Sequence, residues 1–290
     1  MVDPMNIELN IINSFSIEGT GGNPAGVVLD ADHLTPLQKQ QIAREARLSE
    51  TAFVSKSAIA DFKLEFFTPT TQIPHCGHAT IATFSYLKSL NKIRSNNSSK
   101  ETIDGIRRIY FDGDEAYMEQ PGATFTTPPD VQEILKSIGL AEADLISNLP
   151  PVIGNTGNSF LLIGVDDEKK LSAINPDFDK IASLTNALKC VGYYVFALSE
   201  NGFDAQTRMF APGYGIDEES ATGMAAGPLA CSLFSSGIVQ RNSLVIGQGK
   251  FMTPASASRI NVNLQIEQNK IKTLTAGGNA YLASTRSIHI

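Results

Sequence analysis

Along most of the chain, short runs of alternating apolar and polar residues are separated by Gly, Pro and Asn. Longer stretches with helical spacing break in at intervals, a pattern of strands mixed with a few helices. Residues 6–15 and 25–29 read as strands around the turn Gly21-Gly22-Asn23-Pro24. Thr35-Pro36 reads as an N-cap followed by proline in the first helical position, opening a helix to about Arg47. Strands are expected from Glu50 to Ser55 and from Asp61 to Phe67, and a second helix after Cys76-Gly77 to about Leu90. Asn91 to Lys100 is polar without apolar periodicity and reads as an exposed loop.

The same order then recurs. Gly157-Asn158 precedes the strand SFLLIGV, Asn175-Pro176 opens a helix to about Leu188, and strands CVGYYVFAL and FDAQTRMF follow. A helix is expected from about Ala221 to Phe234, and strands near 243–249, 258–265, 270–275 and 279–286. The segment ILKSIGLAEADLISNLP between the copies reads as a helical connection. A constant offset links the halves: 196 − 53 = 143 carries Phe53 to Phe196, and likewise Phe67 to Phe210, Pro69 to Pro212, Ile73 to Ile216 and Ala82 to Ala225. Five identities are weak alone; in a shared order of elements they point to an internal duplication. Two strand-rich units, each wrapped on one helix, would leave a cleft between them suited to a small ligand.

Composition narrows the class of function. Lys plus Arg number 23 against 30 Asp plus Glu, a net charge of −7, and no basic stripe offers a track for phosphates; nucleic acid is not the expected partner. Three cysteines do not make a disulfide framework and suit a reducing compartment. No stretch approaches the roughly 18 apolar residues of a membrane span, and the N-terminus lacks a signal-peptide pattern. The expectation is a cytoplasmic protein that does not engage a membrane.

Candidate chemistry gathers in four segments: Gly22 to Gly26, Leu48 to Val54, Phe67 to Thr80, and Glu218 to Gly223. Glu50 opens the buried-looking run TAFV; a carboxylate there is either partly desolvated, which suits a proton shuttle, or exposed at a strand end. Gly77 and His78 sit at a predicted helix start, where free N–H groups and the helix dipole favour an anion. His78 can donate a hydrogen bond or a proton, or simply cap and pack. Cys76 is an activated thiol or a small buried apolar residue. His75 reads as a surface residue. The HCGH spacing offers ligands, yet no second Cys or His cluster completes a tetrahedral site, so no metal is expected. Glu218-Glu219 precede the corresponding helix of the second copy. The offset of 143 maps Cys76 onto Glu219, whereas matching Ala79-Thr80 to Ala221-Thr222 maps it onto Glu218. The glycines match neither G-x-G-x-x-G nor a P-loop, and no G-x-S-x-G elbow is present.

In order, GNPAGVVL, LSETAFV, FFTP with CGHAT, the acidic-x-x-T-G turn, GQGKFMTPASASRINV and Gly277-Gly278-Asn279-Ala280 resemble the PhzF (phenazine-biosynthesis-like) family over nearly the whole chain. The resemblance implies an α+β fold like diaminopimelate epimerase. Two pseudo-symmetric halves, residues 1–121 with about 279–290 and residues 122–278, would each form a barrel-like, mostly antiparallel sheet around a central helix. The active site is expected in the cleft between them. The resemblance also implies homodimers, no cofactor, and a proton shift on a small anionic metabolite; the family's namesake isomerises trans-2,3-dihydro-3-hydroxyanthranilate with a single Glu. That Glu matches Glu50, the Gly-His pair matches Gly77 and His78, and Glu219 falls where the family usually has Asp. Catalytic roles are therefore expected for Glu50, His78 and Glu219, and substrate contacts for Ser49, Cys76, Gly77, Thr222, Gly223 and Met224. Ser220 and Met224 depart from the family's Asp-Pro-x-Thr-Gly-Ser, which touches substrate recognition rather than the proton-transfer core. A racemase or epimerase working through Cys76 and Glu219, and a metabolite binder without turnover, are the competing readings.

Overall fold

The computed structural model describes residues 5–268 and 270–290. The chain forms two compact units, one of residues up to Glu119 with Gly277–Ile290, the other Gln120–Ala276. In the first lie β1 (Asn6–Ser14), β2 (Asn23–Val28), α1 (Pro36–Ala46), β3 (Thr51–Ser55), β4 (Phe62–Phe67), β5 (Gln72–Ile73), α2 (Gly77–Ser89), β6 (Asn97–Thr102), β7 (Gly105–Asp112) and most of β8 (Glu115–Pro121), whose last two residues belong to the second. The second holds β9 (Thr124–Thr126), α3 (Val131–Lys136), β10 (Val152–Asn155), β11 (Ser159–Val165), α4 (Glu168–Ala173), α5 (Phe178–Leu188), β12 (Gly192–Leu198) and β13 (Ala205–Ala211). It continues through β14 (Ile216–Glu219), α6 (Gly223–Ser235), β15 (Ser243–Gln248), β16 (Ser258–Glu267) and β17 (Lys270–Gly278), and β18 (Ala280–His289) returns to the first unit.

The two units share one pairing scheme. β1 runs antiparallel to β2, β2 parallel to β3, β3 antiparallel to β4, β4 parallel to β6 and β6 antiparallel to β7. The second unit repeats this step for step with β10, β11, β12, β13, β15 and β16. α2 packs on β1, β2, β3 and β18, and α6 on β10, β11 and β16. The offset between copies is not constant, however. Phe67 and Phe210 differ by 210 − 67 = 143, while the helix starts Gly77 and Gly223 differ by 223 − 77 = 146. Three extra residues before α6, in the stretch of Pro212–Tyr214 and β14, shift the register. The N-cap Cys76 therefore corresponds to Thr222, and to neither Glu218 nor Glu219 as the sequence offsets suggested.

α1 follows the sequence signals closely. Thr35 accepts a hydrogen bond from the Gln38 N–H in a capping box, Pro36 occupies the first turn, and Arg47 closes the helix in the left-handed region at φ 54°. Its apolar face, Ile42, Ala43 and Ala46, packs with Leu9, Val28, Phe53 and Phe67; the two phenyl rings meet edge to face with centroids 5.4 Å apart. The second unit has its own core of Leu161, Ile163, Val195 and Phe210 against Ile134 of α3 and Ile181 of α5. α2 is buried on nearly all sides, so its polar residues must be satisfied internally. Thr80 and Thr83 do this by donating to the carbonyls of Cys76 and Ala79 at 2.6 and 2.7 Å.

Several expectations need correction. The polar stretch Asn91 to Lys100 is not wholly an exposed loop: from Asn97 it is β6, whose Ser98, Lys100 and Thr102 point inward. The segment 134–150 is helical only at α3 and a 3-10 turn, Glu142–Asp144, because Gly139 at φ 70° breaks the run. α5 starts at Phe178 with Asp177 as its cap, two residues beyond Asn175-Pro176, and α6 starts at Gly223 rather than Ala221.

Gly26 sets how closely β2 approaches β3. Its N–H donates to the Glu50 carbonyl at 3.0 Å, and a Cβ on it would lie 2.8 Å from Thr51 Oγ1 and 3.0 Å from Leu9 Cδ1. Both neighbours are buried, so Gly26→Ala is expected to lower stability by about 1–3 kcal/mol. Urea unfolding at constant m-value is the measurement.

Candidate active site

The start of β3 and the start of α2 converge in the first unit. Glu50 is only 7% exposed although it carries a carboxylate, because its backbone is held by β2 and its side chain turns toward the helix terminus. His78, in the first turn of α2, is also buried, with Nε2 3.3 Å from Glu50 Oε2. That is ion-pair distance, angled away from a hydrogen bond. Oε2 accepts no hydrogen bond from any described residue. The other ring nitrogen, Nδ1, lies 3.5 Å from the Cys76 thiol. The three side chains form a compact cluster of thiol, imidazole and carboxylate.

Burial pushes the Cys76 thiol up from its ordinary value, and the neighbouring His78 offsets this only in part. A thiol that keeps its proton can donate to Nδ1, which leaves the ring proton on Nε2, facing Glu50. The carboxylate, thiol and imidazole donor atoms lie within 4.8 Å of one another. A sequence search for metal ligands by Cys and His spacing misses this third donor, since Glu50 is brought in only by the sheet.

Beneath the turn lies a second polar group. Lys100 of β6 is fully buried, donates to Thr80 Oγ1 at 2.5 Å and sits 3.3 Å from His75 Nδ1. Its ammonium lies 5.0 Å over the Phe66 ring. Burial drives its pKa down to about 7. His75 is not on the surface: it is partly buried, and burial, then the charges of Lys100 and Arg107, drive its pKa down to about 2, so it stays neutral.

The remaining predicted residues form a separate cluster in the second unit. The Glu218 carboxylate is clamped by Arg208 through two hydrogen bonds of 2.8 Å, and Arg208 also donates to the Ile174 carbonyl at 2.9 Å. Glu218 thus serves the packing of its own unit. Glu219 instead accepts from the Thr222 hydroxyl at the start of α6. Gln248 of β15, fully buried, completes the cluster: its amide donates to the Glu219 carbonyl at 2.7 Å and Thr222 Oγ1 at 3.0 Å. Its oxygen accepts from the Thr222 N–H and the Tyr194 hydroxyl, each at 3.0 Å. Gly223 is buried and Met224 half-buried in the first turn of α6. Ser49 is exposed just before Glu50. Sequence reasoning missed Lys100, Arg208, Tyr194 and Gln248; of these only Gln248 lay in a segment already singled out, GQGKF.

The family model described as phenazine biosynthesis-like protein (PhzC-PhzF) matches residues 12–285. An uncharacterised isomerase of Clostridium acetobutylicum is 38% identical over 233 residues, 77% of this chain and 77% of that protein. The trans-2,3-dihydro-3-hydroxyanthranilate isomerase of Pseudomonas chlororaphis is 33% identical over 239 residues, 79% of this chain and 81% of its own length. A Bacillus anthracis phenazine biosynthesis protein of the PhzF family superposes with a TM-score of 0.90 at 26% identity, covering 99% of this chain and 100% of that one.

The buried lysine predicts a pH dependence of stability. Between pH about 7 and the usual lysine range the unfolded chain binds a proton that the folded chain has lost. The Lys100 contribution therefore rises with pH across that window, and the cost of burying its charge is fully present below it. Lys100→Met removes this dependence, so the stability of the variant relative to wild type is highest at pH 6 and falls toward pH 9 and above. Urea midpoints of both proteins across that range measure it.

Proposed function

We propose, from the premise that this chain belongs to the PhzC-PhzF family of phenazine biosynthesis-like proteins and is an isomerase, that Glu50 moves a proton between two carbons of a small carboxylic acid. The observation that supports this most directly is the Glu50 carboxylate itself. It is buried next to His78, with an oxygen that accepts no hydrogen bond from the described residues and so is free to take a substrate proton.

Abstraction from a carbon beside a carboxylate or a conjugated system leaves negative charge on the substrate. The N–H groups of Gly77 and the first turn of α2, with the positive end of the helix dipole, suit that charge. His78, its ring proton on Nε2, holds Glu50 in place and can donate as charge develops. Cys76 fixes the tautomer from Nδ1 rather than reacting. Glu219, oriented by Thr222 and Gln248, is the second acid we assign to the reaction, with Thr222, Gly223 and Met224 as substrate contacts. The substrate is dihydrohydroxyanthranilate or a related conjugated acid; Met224, where the family usually has Ser, favours a relative with less polar character at that contact. No cofactor enters this scheme, and the working form is taken to be a homodimer.

Proton NMR in D₂O tests the scheme with dihydrohydroxyanthranilate and a panel of small α-amino and conjugated acids. Wild type is expected to convert or deuterate at least one of them, with turnover surviving a chelator. Glu50→Gln is expected to fall at least about 1,000-fold. Cys76→Ala is expected to stay within about tenfold of wild type, because it loses only the tautomer contact. The reverse outcome, an inactive Cys76→Ala beside an active Glu50→Gln, would replace the Glu50 shuttle with thiol-based racemase chemistry.

A further inference from the structure

A cation buried without a carboxylate partner is expensive, and burying it demands a reason in the structure around it. Lys100 is such a cation: it is fully buried on β6, and no described carboxylate lies within ion-pair distance. Its hydrogen bonds lead toward the first turn of α2. The ammonium donates to Thr80 Oγ1 at 2.5 Å, and the same hydroxyl gives its own proton to the Cys76 carbonyl at 2.6 Å. A second N–H faces His75 Nδ1 at 3.3 Å; the ring is neutral, and Nδ1 accepts in the tautomer with its proton on Nε2. Lys100 therefore braces the segment His75 to Thr80 from below at both ends.

The second unit has a comparable brace. There β15, the counterpart of β6, sends the buried Gln248 to the Thr222 hydroxyl at the start of α6, and Thr222 in turn bonds Glu219. In each unit a buried polar side chain from the strand lying parallel to β4 or β13 anchors a threonine at the start of the buried helix.

We propose that Lys100 is a positioning residue for the isomerase, holding the Cys76-Gly77-His78 turn through Thr80 so that His78 stays against Glu50. This rests on the assignment of Glu50 and His78 to the reaction, and it adds a residue that makes no contact with either. Removing the ammonium loosens the turn without touching the base, so the loss falls on the chemical step rather than on substrate binding.

The experiment compares Lys100→Met, Thr80→Val, Thr80→Ser and the Lys100→Met/Thr80→Val double variant in two assays. In turnover, Lys100→Met and Thr80→Val are each expected to lower kcat by about 10–100-fold with KM within about threefold. Thr80→Ser keeps the hydroxyl and stays within about threefold of wild type. The double variant is no slower than the worse single one, because both break the same chain of bonds. The other assay needs no substrate: the ¹⁵N resonances of the His78 imidazole shift in Lys100→Met and Thr80→Val and stay in place in Thr80→Ser. Wild-type kcat, KM and His78 resonances in Lys100→Met would overturn the proposal, as would losses that multiply in the double variant. Failure of the Glu50 shuttle is read separately from Glu50→Gln turnover, which leaves the resonance assay of the Lys100 brace standing.

Discussion

A helix buried on nearly every side must place the N–H groups of its first turn and every polar side chain it carries without help from bulk water. In this protein α2 and α6 both face that requirement, and the polar residues around their starts are arranged to meet it. At α2 the answer is Thr80 on the Cys76 carbonyl, Lys100 on Thr80, and the cluster of Cys76, His78 and Glu50. At α6 it is Gln248, with all four of its hydrogen-bonding directions used on Glu219, Thr222 and Tyr194. The groups assigned to the reaction are thus drawn from the same polar set that lets the helices be buried.

That coupling explains why the site combines a carboxylate with a protected setting. Glu50 gains its burial from β2 and β3, whose close approach depends on Gly26, while the imidazole beside it is oriented by the helix. A carboxylate held this way is shielded from water while one oxygen, Oε2, accepts no hydrogen bond from the described residues, which suits the proton transfer proposed for it. The second unit uses its acidic pair differently. Glu218 is committed to a bidentate pairing with Arg208, and only Glu219 adjoins the helix start. Two neighbouring residues of the same type are separated into packing and candidate chemistry by which partner each can reach.

The shared pairing scheme of the two units, with a lysine at one helix and a glutamine at the other, shows how a duplicated architecture diverges. The strand pairing is retained while the bracing side chain differs in type and in position: Lys100 lies opposite Phe62, Ile246 opposite Ala205, and Gln248 two residues further along β15. Lys100 beneath α2 donates to Thr80, whereas the neutral amide of Gln248 beneath α6 donates to the Thr222 hydroxyl, which in turn donates to Glu219.

What the sequence determined by itself was the part written in local signals. Alternation and turn residues located most strands, the Thr35-Pro36 cap set α1, and the order of the motifs around Glu50, Cys76-Gly77-His78 and Glu219 carried the family and its expected chemistry. Helix and strand periodicity report which side chains are apolar, and that is why they worked where cores are apolar. They failed at β6, where the inward residues Ser98, Lys100 and Thr102 are polar and the stretch looks like a loop. Likewise the repeat was legible but its register at the helix starts was not, since three residues inserted before α6 leave no periodic trace. Tertiary structure alone decided that Lys100 is buried under Thr80, that His75 is neutral beside it, and that Arg208 takes Glu218 and leaves Glu219 to Thr222. In each of these, burial and hydrogen-bond geometry select one partner among several within reach, a choice that no local pattern names.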